Sequence, residues 1–129
     1  MSDVTVKVPA QPDFVHVLRS VVATVAARAN LTVDEIDDLR LAVDEACAQL
    51  LSLPSPATTL TLVLSPGDHD GLVVLASIDA DVRAWPPEGA ERTLTWQVLA
   101  ALADDARFEQ VDGHPALRLT KNRQPATTS

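Results

Sequence analysis

The stretch Leu31-Thr-Val-Asp-Glu-Ile-Asp-Asp-Leu-Arg-Leu-Ala-Val-Asp-Glu-Ala-Cys-Ala-Gln-Leu-Leu51 holds the residues best placed to do chemistry. Glu45 and Gln49 are four positions apart, so on a helix they stand one above the other on the same face. At about 100° per residue, Ile36, Leu39, Val43, Ala46, Cys47 and Leu50 form an apolar stripe for the core. Glu45 falls on the opposite side with Asp34, Asp38, Leu41, Ala48 and Gln49. That side is acidic in its first turns and mixed with Leu and Ala in its last ones, which suggests that something covers its C-terminal half. A carboxylate in such partly apolar surroundings is suited to accept or return a proton. Spacing alone, by contrast, places Glu45 among ordinary surface carboxylates.

The helix that carries the pair has a well-marked start. Thr32 and Glu35 form a capping box, Leu31 and Ile36 sit where a hydrophobic staple would hold the entering chain, and Asp34, Glu35, Asp37 and Asp38 lie near the positive end of the helix dipole. Before it, the alternation in Val4-Thr-Val-Lys-Val8 predicts a strand closed by Pro9 and Pro12. Asp13 then caps a helix running to about Arg28, with Phe14, Val17, Leu18, Val21 and Val25 along one side. A turn at Ala29-Asn30 makes the two helices an antiparallel pair over one face of a sheet.

After the central helix, Ser52-Leu-Pro-Ser-Pro56 stops helical growth. Residues 59–65 and 71–78 read as strands of a hairpin around Pro66-Gly-Asp-His-Asp70. Residues 84–92 read as a loop, and 93–105 as a helix with Trp96, Leu99 and Leu102 or Ala103 inward. A second hairpin pairs 107–111 with 114–120 across Asp112-Gly113. The pattern is α+β in one domain over residues 1–120, followed by a polar, disordered tail over 121–129.

Composition narrows the function. A net charge of −8 argues against a nucleic-acid partner, which needs clustered Lys and Arg, and favours a basic protein surface. One cysteine excludes an internal disulfide, and Cys47 on the core stripe reads as an inert small hydrophobe. No apolar run approaches a membrane span, and the Met-Ser-Asp-Val start has no signal-peptide character, so a cytoplasmic protein is expected. His16, His69 and His114 are too scattered to indicate a zinc site or a histidine base.

Leu39-Arg-Leu-Ala-Val-Asp-Glu-Ala-Cys-Ala-Gln-Leu-Leu51 resembles the helix that opens the ATP site of Bergerat-type ATPase domains, in particular the small anti-sigma factor serine kinases of the RsbW type. The resemblance implies a two-layer sandwich, a mixed and mostly antiparallel sheet with helices on one face. It implies Glu45 as catalytic base, with Gln49 standing where the family has the Asn that holds Mg²⁺. The longer side chain moves the carbonyl outward by about 1.5 Å, and Mg²⁺ requires near-ideal octahedral distances. Asp79 matches the aspartate that bonds the adenine amino group, but Asp81 and Arg83 replace the two glycines of the first glycine-rich box, Asp-x-Gly-x-Gly. Thr93 and Thr95 replace those of the phosphate-binding turn, and residues 84–92 correspond to the mobile lid over ATP.

The function so implied is an anti-sigma factor that sequesters an RNA polymerase sigma factor, is regulated by anti-anti-sigma partners with the STAS fold, and makes little or no use of ATP and Mg²⁺. The alternative is an active serine/threonine kinase acting on such a partner. A homodimer is also implied by the family, and a generic interaction module with an incidental Glu45 is the third class.

Overall fold

Alternating apolar residues, Val4, Val6 and Val8, then Leu60, Leu62 and Leu64, then Leu72, Val74, Ala76 and Ile78, turn one side of a sheet into a greasy floor on which helices can pack. The computed structural model describes residues 2–68 and 70–124. Its elements are β1 (Val4–Pro9), α1 (Val15–Arg28), α2 (Val33–Leu51), β2 (Thr59–Pro66), β3 (Gly71–Ile78), α3 (Leu94–Leu102), β4 (Asp105–Val111) and β5 (His114–Asn122), with single 3₁₀ turns at Pro12–Phe14 and Ala90–Arg92.

The five strands are ordered β1-β2-β3-β5-β4, and every ladder among the described residues is antiparallel. Helices α1 and α2 pack on each other, and α2 touches β3, β5 and α3. The α+β two-layer arrangement expected from the sequence is therefore present. Gly71 is required where β3 meets β5, because a Cβ there would lie 2.1 Å from the carbonyl oxygen of Lys121. Asp112 and Gly113 both take positive φ, 52° and 80°, which a two-residue turn of type I′ demands.

Several boundaries shift. Asp13 lies in the 3₁₀ turn and caps nothing; α1 starts at Val15 and buries Leu18, Val22, Val25 and Ala26, while Val17 faces outward. The last helix stops at Leu102, and Asp105 already belongs to β4. Ala103 is extended at the helix end, and its apolar neighbour Ala106 continues the alternation into the strand. Strand β5 runs through Lys121 and Asn122, two residues into the stretch expected to be a tail; residues 125–129 and His69 lie outside the described residues.

That extension is tied down by side chains. Glu35 Oε1 accepts from the Thr32 N–H at 2.7 Å, Thr32 Oγ1 accepts from the Glu35 N–H at 3.2 Å, and Glu35 Oε2 accepts from the Gln124 N–H at 2.8 Å. The capping box is complete, and its glutamate also holds the end of the last strand. Lys121 Nζ donates to the Leu102 carbonyl at 2.9 Å and meets Asp38 Oδ2 at 3.3 Å. Asp104 Oδ2 accepts from the Asn122 N–H at 2.6 Å. Glu35 and Lys121 are the buried charged residues among those described, and each has partners, as burial of a charge requires.

Candidate functional site

Glu45 and Gln49 stand on α2 as the spacing requires, both half-buried. Glu45 has no hydrogen bond or ion pair among the described residues. Gln49 Oε1 is buried with no hydrogen-bond partner among the described residues. Arg40 Nε and Asp44 Oδ1 of the same helix are also buried without a hydrogen bond among the described residues, although Asp44 Oδ1 forms an ion pair with Arg19 Nε of α1 at 3.3 Å, in a cleft also lined by Asp37 and Leu41. Burial pushes the Asp44 carboxyl above its usual range, against the opposing pull of Arg19 and Arg40. Burial, with the Asp44 charge adding to it, pushes the Cys47 thiol up to about 12, so the thiol is inert, as its place on the core stripe implies.

Asp79 is not brought to this pair. Strand alternation turns Ser77 and Asp79 to the sheet's outer side and Ile78 and Ala80 toward the helices. Asp79 accordingly lines a cleft of about 340 Å³ with Lys7, Thr59, Thr61, Ser77 and His114, without Glu45 or Gln49. Its Oδ1 accepts from the N–H groups of Thr58 at 2.8 Å and Thr59 at 3.0 Å, where β2 begins. The bond from the Thr59 N–H, then that from Thr58, hold this carboxyl below its usual range against the effect of burial. The residue that does face the helical layer is Ala80, 0% exposed and without a side-chain hydrogen-bonding group.

The threonines at the start of α3 also have local work. Thr93 is the N-cap: its Oγ1 accepts from the Trp96 N–H at 3.2 Å and donates to the Ala90 carbonyl at 2.8 Å. Thr95 is half-buried in the first turn. The loop before them is anchored along its length. Ser55 Oγ donates to the Asp81 carbonyl at 2.6 Å, His114 Nδ1 lies 3.1 Å from the Ala80 carbonyl, and Trp85 Nε1 donates to the Ala116 carbonyl at 3.1 Å. Trp85 sits edge-on to Phe108, with ring centroids 5.3 Å apart, and Phe108 stacks on Trp96 at 4.4 Å. Such aromatic pairs are worth about 0.5–1.5 kcal/mol each beyond the area they bury.

The Histidine kinase-like ATPase domain family matches residues 8–121. This chain belongs to that family. Anti-sigma-F factor RsbW of Mycobacterium tuberculosis (strain ATCC 25618 / H37Rv) is 38% identical over 104 residues, which cover 81% of this chain and 60% of that protein. Serine-protein kinase RsbW of Bacillus subtilis (strain 168) is 50% identical over 44 residues, 34% of this chain and 28% of its own length. The corresponding protein of Bacillus velezensis (strain DSM 23117 / BGSC 10A6 / LMG 26770 / FZB42) is 43% identical over 44 residues. The chain thus spans about 60% of the length of the mycobacterial relative.

Membership in an ATPase-domain family makes a magnesium nucleotide the group to test against these side chains. Gln49 Oε1 has no hydrogen-bond partner among the described residues, but it is buried rather than presented to an open site. Asp79 Oδ1 and Thr93 Oγ1 already serve the backbone, and Asp79 faces the other side of the sheet. Positions 81, 83, 93 and 95 carry side chains where close backbone approach to phosphates favours glycine. Among the described residues no three His, Cys, Asp or Glu side chains gather in a way that could hold a metal ion. The residues present do not fit a magnesium triphosphate, and no chemical step is assigned through one. No helix among the described residues is long and apolar enough to cross a membrane.

The features that sequence reasoning missed are the anchoring of the loop by Trp85 and His114 and the inward turn of Ala80. The Ala-Trp-Pro-Pro run marks Trp85 as a large apolar piece within a polar loop, which is the signal that could have found the first. Counting alternation two residues past Ile78 would have found the second.

Proposed function

We propose that this chain is an anti-sigma factor: it binds and sequesters an RNA polymerase sigma factor, is relieved by an anti-anti-sigma partner of the STAS fold, and does so in the cytoplasm with little or no use of ATP. The observation that carries this reading is the likeness along 81% of the chain to a protein named as an anti-sigma factor. The engagement of Asp79 and Thr93 by the backbone supports the clause on ATP. A strongly acidic surface and the exposed Leu41, 55% accessible on the outer face of α2, offer charge and apolar area to a basic partner. The uncovered side of the sheet carries Val63, Val73 and Leu75 in its middle, which supports a homodimer formed through that face.

The test is co-purification of the full chain with each candidate sigma factor, with and without ATP. Retention of one sigma factor to the same extent in both conditions is the expected result; retention of none overturns the reading. A second reading, a serine kinase with Glu45 as base, draws on the free Gln49 carbonyl one turn away. Transfer of labelled phosphate from ATP to a STAS-fold partner, abolished by Glu45→Gln, would establish it in place of the first.

A further inference from the structure

Residues 84–92 correspond by position to a mobile cover, yet the stretch Asp79 to Thr93 that contains them is fastened to other elements at its start and in its middle, and ordered by local turns at its end. At the start, the Asp79 carboxylate holds the N–H groups of Thr58 and Thr59, the Ala80 carbonyl lies 3.1 Å from His114 Nδ1, and the Asp81 carbonyl accepts from Ser55. In the middle, Trp85 is buried and bonded to the Ala116 carbonyl, while Gln110 Nε2 reaches the Trp85 carbonyl at 3.5 Å. At the end, a 3₁₀ turn closed by Arg92 N–H to the Gly89 carbonyl, 3.0 Å, runs into the Thr93 cap. Anchors come from β2, β4, β5 and the loop after α2, so several elements would have to move together for this segment to lift.

Beneath it the space is apolar. Ala80, Trp85 and Ala90 are buried, and Phe108 and Trp96 continue the filling between β4 and α3. Of the carbonyls that could have met an exocyclic amino group, those of Asp81 and Ala116 already accept from Ser55 and Trp85, and that of Ala80 is faced by His114 Nδ1 at 3.1 Å. An adenine entering here would find no unengaged acceptor among these three and would have to displace an indole. Displacing a buried aromatic forfeits its packing, a loss of the kind seen for Trp→Ala in cores.

The geometry points to Trp85 as the positioning residue that holds the Asp79–Thr93 segment shut over this filling, so that the segment is a fixed wall which excludes adenine nucleotides and partner binding proceeds on a preformed surface. This deepens the anti-sigma reading and rests on it only for the identity of the partner. The closure itself is a property of the isolated chain.

Hydrogen exchange on the full chain, read by mass over peptides covering residues 80–93, tests it, with ATP and Mg²⁺ as the probe. In the wild type these amides are expected to be protected and unchanged by the nucleotide. Trp85→Ala is expected to speed exchange across the segment by at least about tenfold while β1, β2 and β3 keep theirs, and Trp85→Phe, which retains the edge contact with Phe108, to recover most of the protection. Should Trp85→Ala lose its fold, Ser55→Ala removes one anchor from outside the core and is expected to loosen residues 80–83 alone. Free exchange over 80–93 in the wild type, or new protection there on adding ATP and Mg²⁺, overturns the proposal. Because no partner is present in this experiment, failure to find a sigma factor leaves its outcome untouched, and a mobile segment leaves the sigma-factor test standing.

Discussion

The two halves of α2 differ in what their polar groups do. In the first half, Glu35 and Asp38 reach across to Thr32, Gln124 and Lys121, and through them join the helix start to the last strand and the end of α3. In the second half, Asp44 meets Arg19 at 3.3 Å, but among the described residues Glu45 is unpaired and the Gln49 side-chain carbonyl is buried without a partner. Both halves contribute to a buried apolar stripe, complete at Leu39, Val43, Ala46, Cys47 and Leu50 and half-covered at Ile36 near the helix start. The helix thus separates polar groups that build the fold from polar groups that the fold leaves unengaged. Unengaged, half-covered groups are where a ligand or partner has something to bind, and the expected effects of mutation divide along the same line.

The largest effect is expected where both halves are alike. Leu50→Ala should cost about 2–5 kcal/mol, because a fully buried leucine leaves a cavity that its neighbours refill only in part. Glu35→Ala should follow at about 2–3 kcal/mol, since it leaves the N–H groups of Thr32 and Gln124 without their charged acceptor. Urea unfolding followed by circular dichroism measures both. A Glu35→Ala variant as stable as the wild type would erase the distinction between the halves.

Acid should act through the first half. Burial raises the Glu35 carboxyl, but hydrogen bonds from Thr32 and Gln124 and the charge of Lys121 outweigh it, so its folded value lies below the usual 4.5. A lowered carboxylate contributes stability that is complete above the unfolded value and disappears as pH falls through the folded one. Stability should therefore decline below about pH 4.5, and Glu35→Gln should flatten that decline. Thermal unfolding over a pH series checks the slope; identical acid limbs for the two proteins would assign the loss to other carboxylates such as Asp79.

Much of this was legible in the chain. The Thr32–Glu35 box, the stripe of α2, the Asp-Gly turn and the paired strands follow from local rules, because each rests on residues a few positions apart. What was not legible depends on distant partners. Nothing near Lys121 announces that its ammonium will be held by Leu102 and Asp38, and so the end of β5 looked like the start of a tail. Asp79 looked like a ligand residue because its type and order in the chain match a motif, while its orientation depends on strand pleating and on Thr58 and Thr59, 21 and 20 positions away. Helical spacing predicts that Glu45 and Gln49 share one face of α2, and there they stand; the side to which Asp79 turns depends on distant backbone partners, whereas Thr93 is engaged by its own helix cap.

The smallest effects are expected in the second half of α2. Gln49→Leu should be neutral or stabilising by up to about 1 kcal/mol, since it removes a buried carbonyl that has no partner. Glu45→Gln should change stability by less than about 0.5 kcal/mol, as surface substitutions away from networks do. If either variant also weakens retention of a sigma factor, the unengaged half is the recognition half.

The central claim, that an ATPase-type domain here works without its nucleotide, is tested most directly by thermal unfolding of the full chain with ATP and Mg²⁺. An unchanged midpoint at every nucleotide concentration is the expected result. A midpoint that climbs with concentration, reaching the equivalent of about 2.7 kcal/mol once the nucleotide is a hundredfold above its Kd, would contradict it.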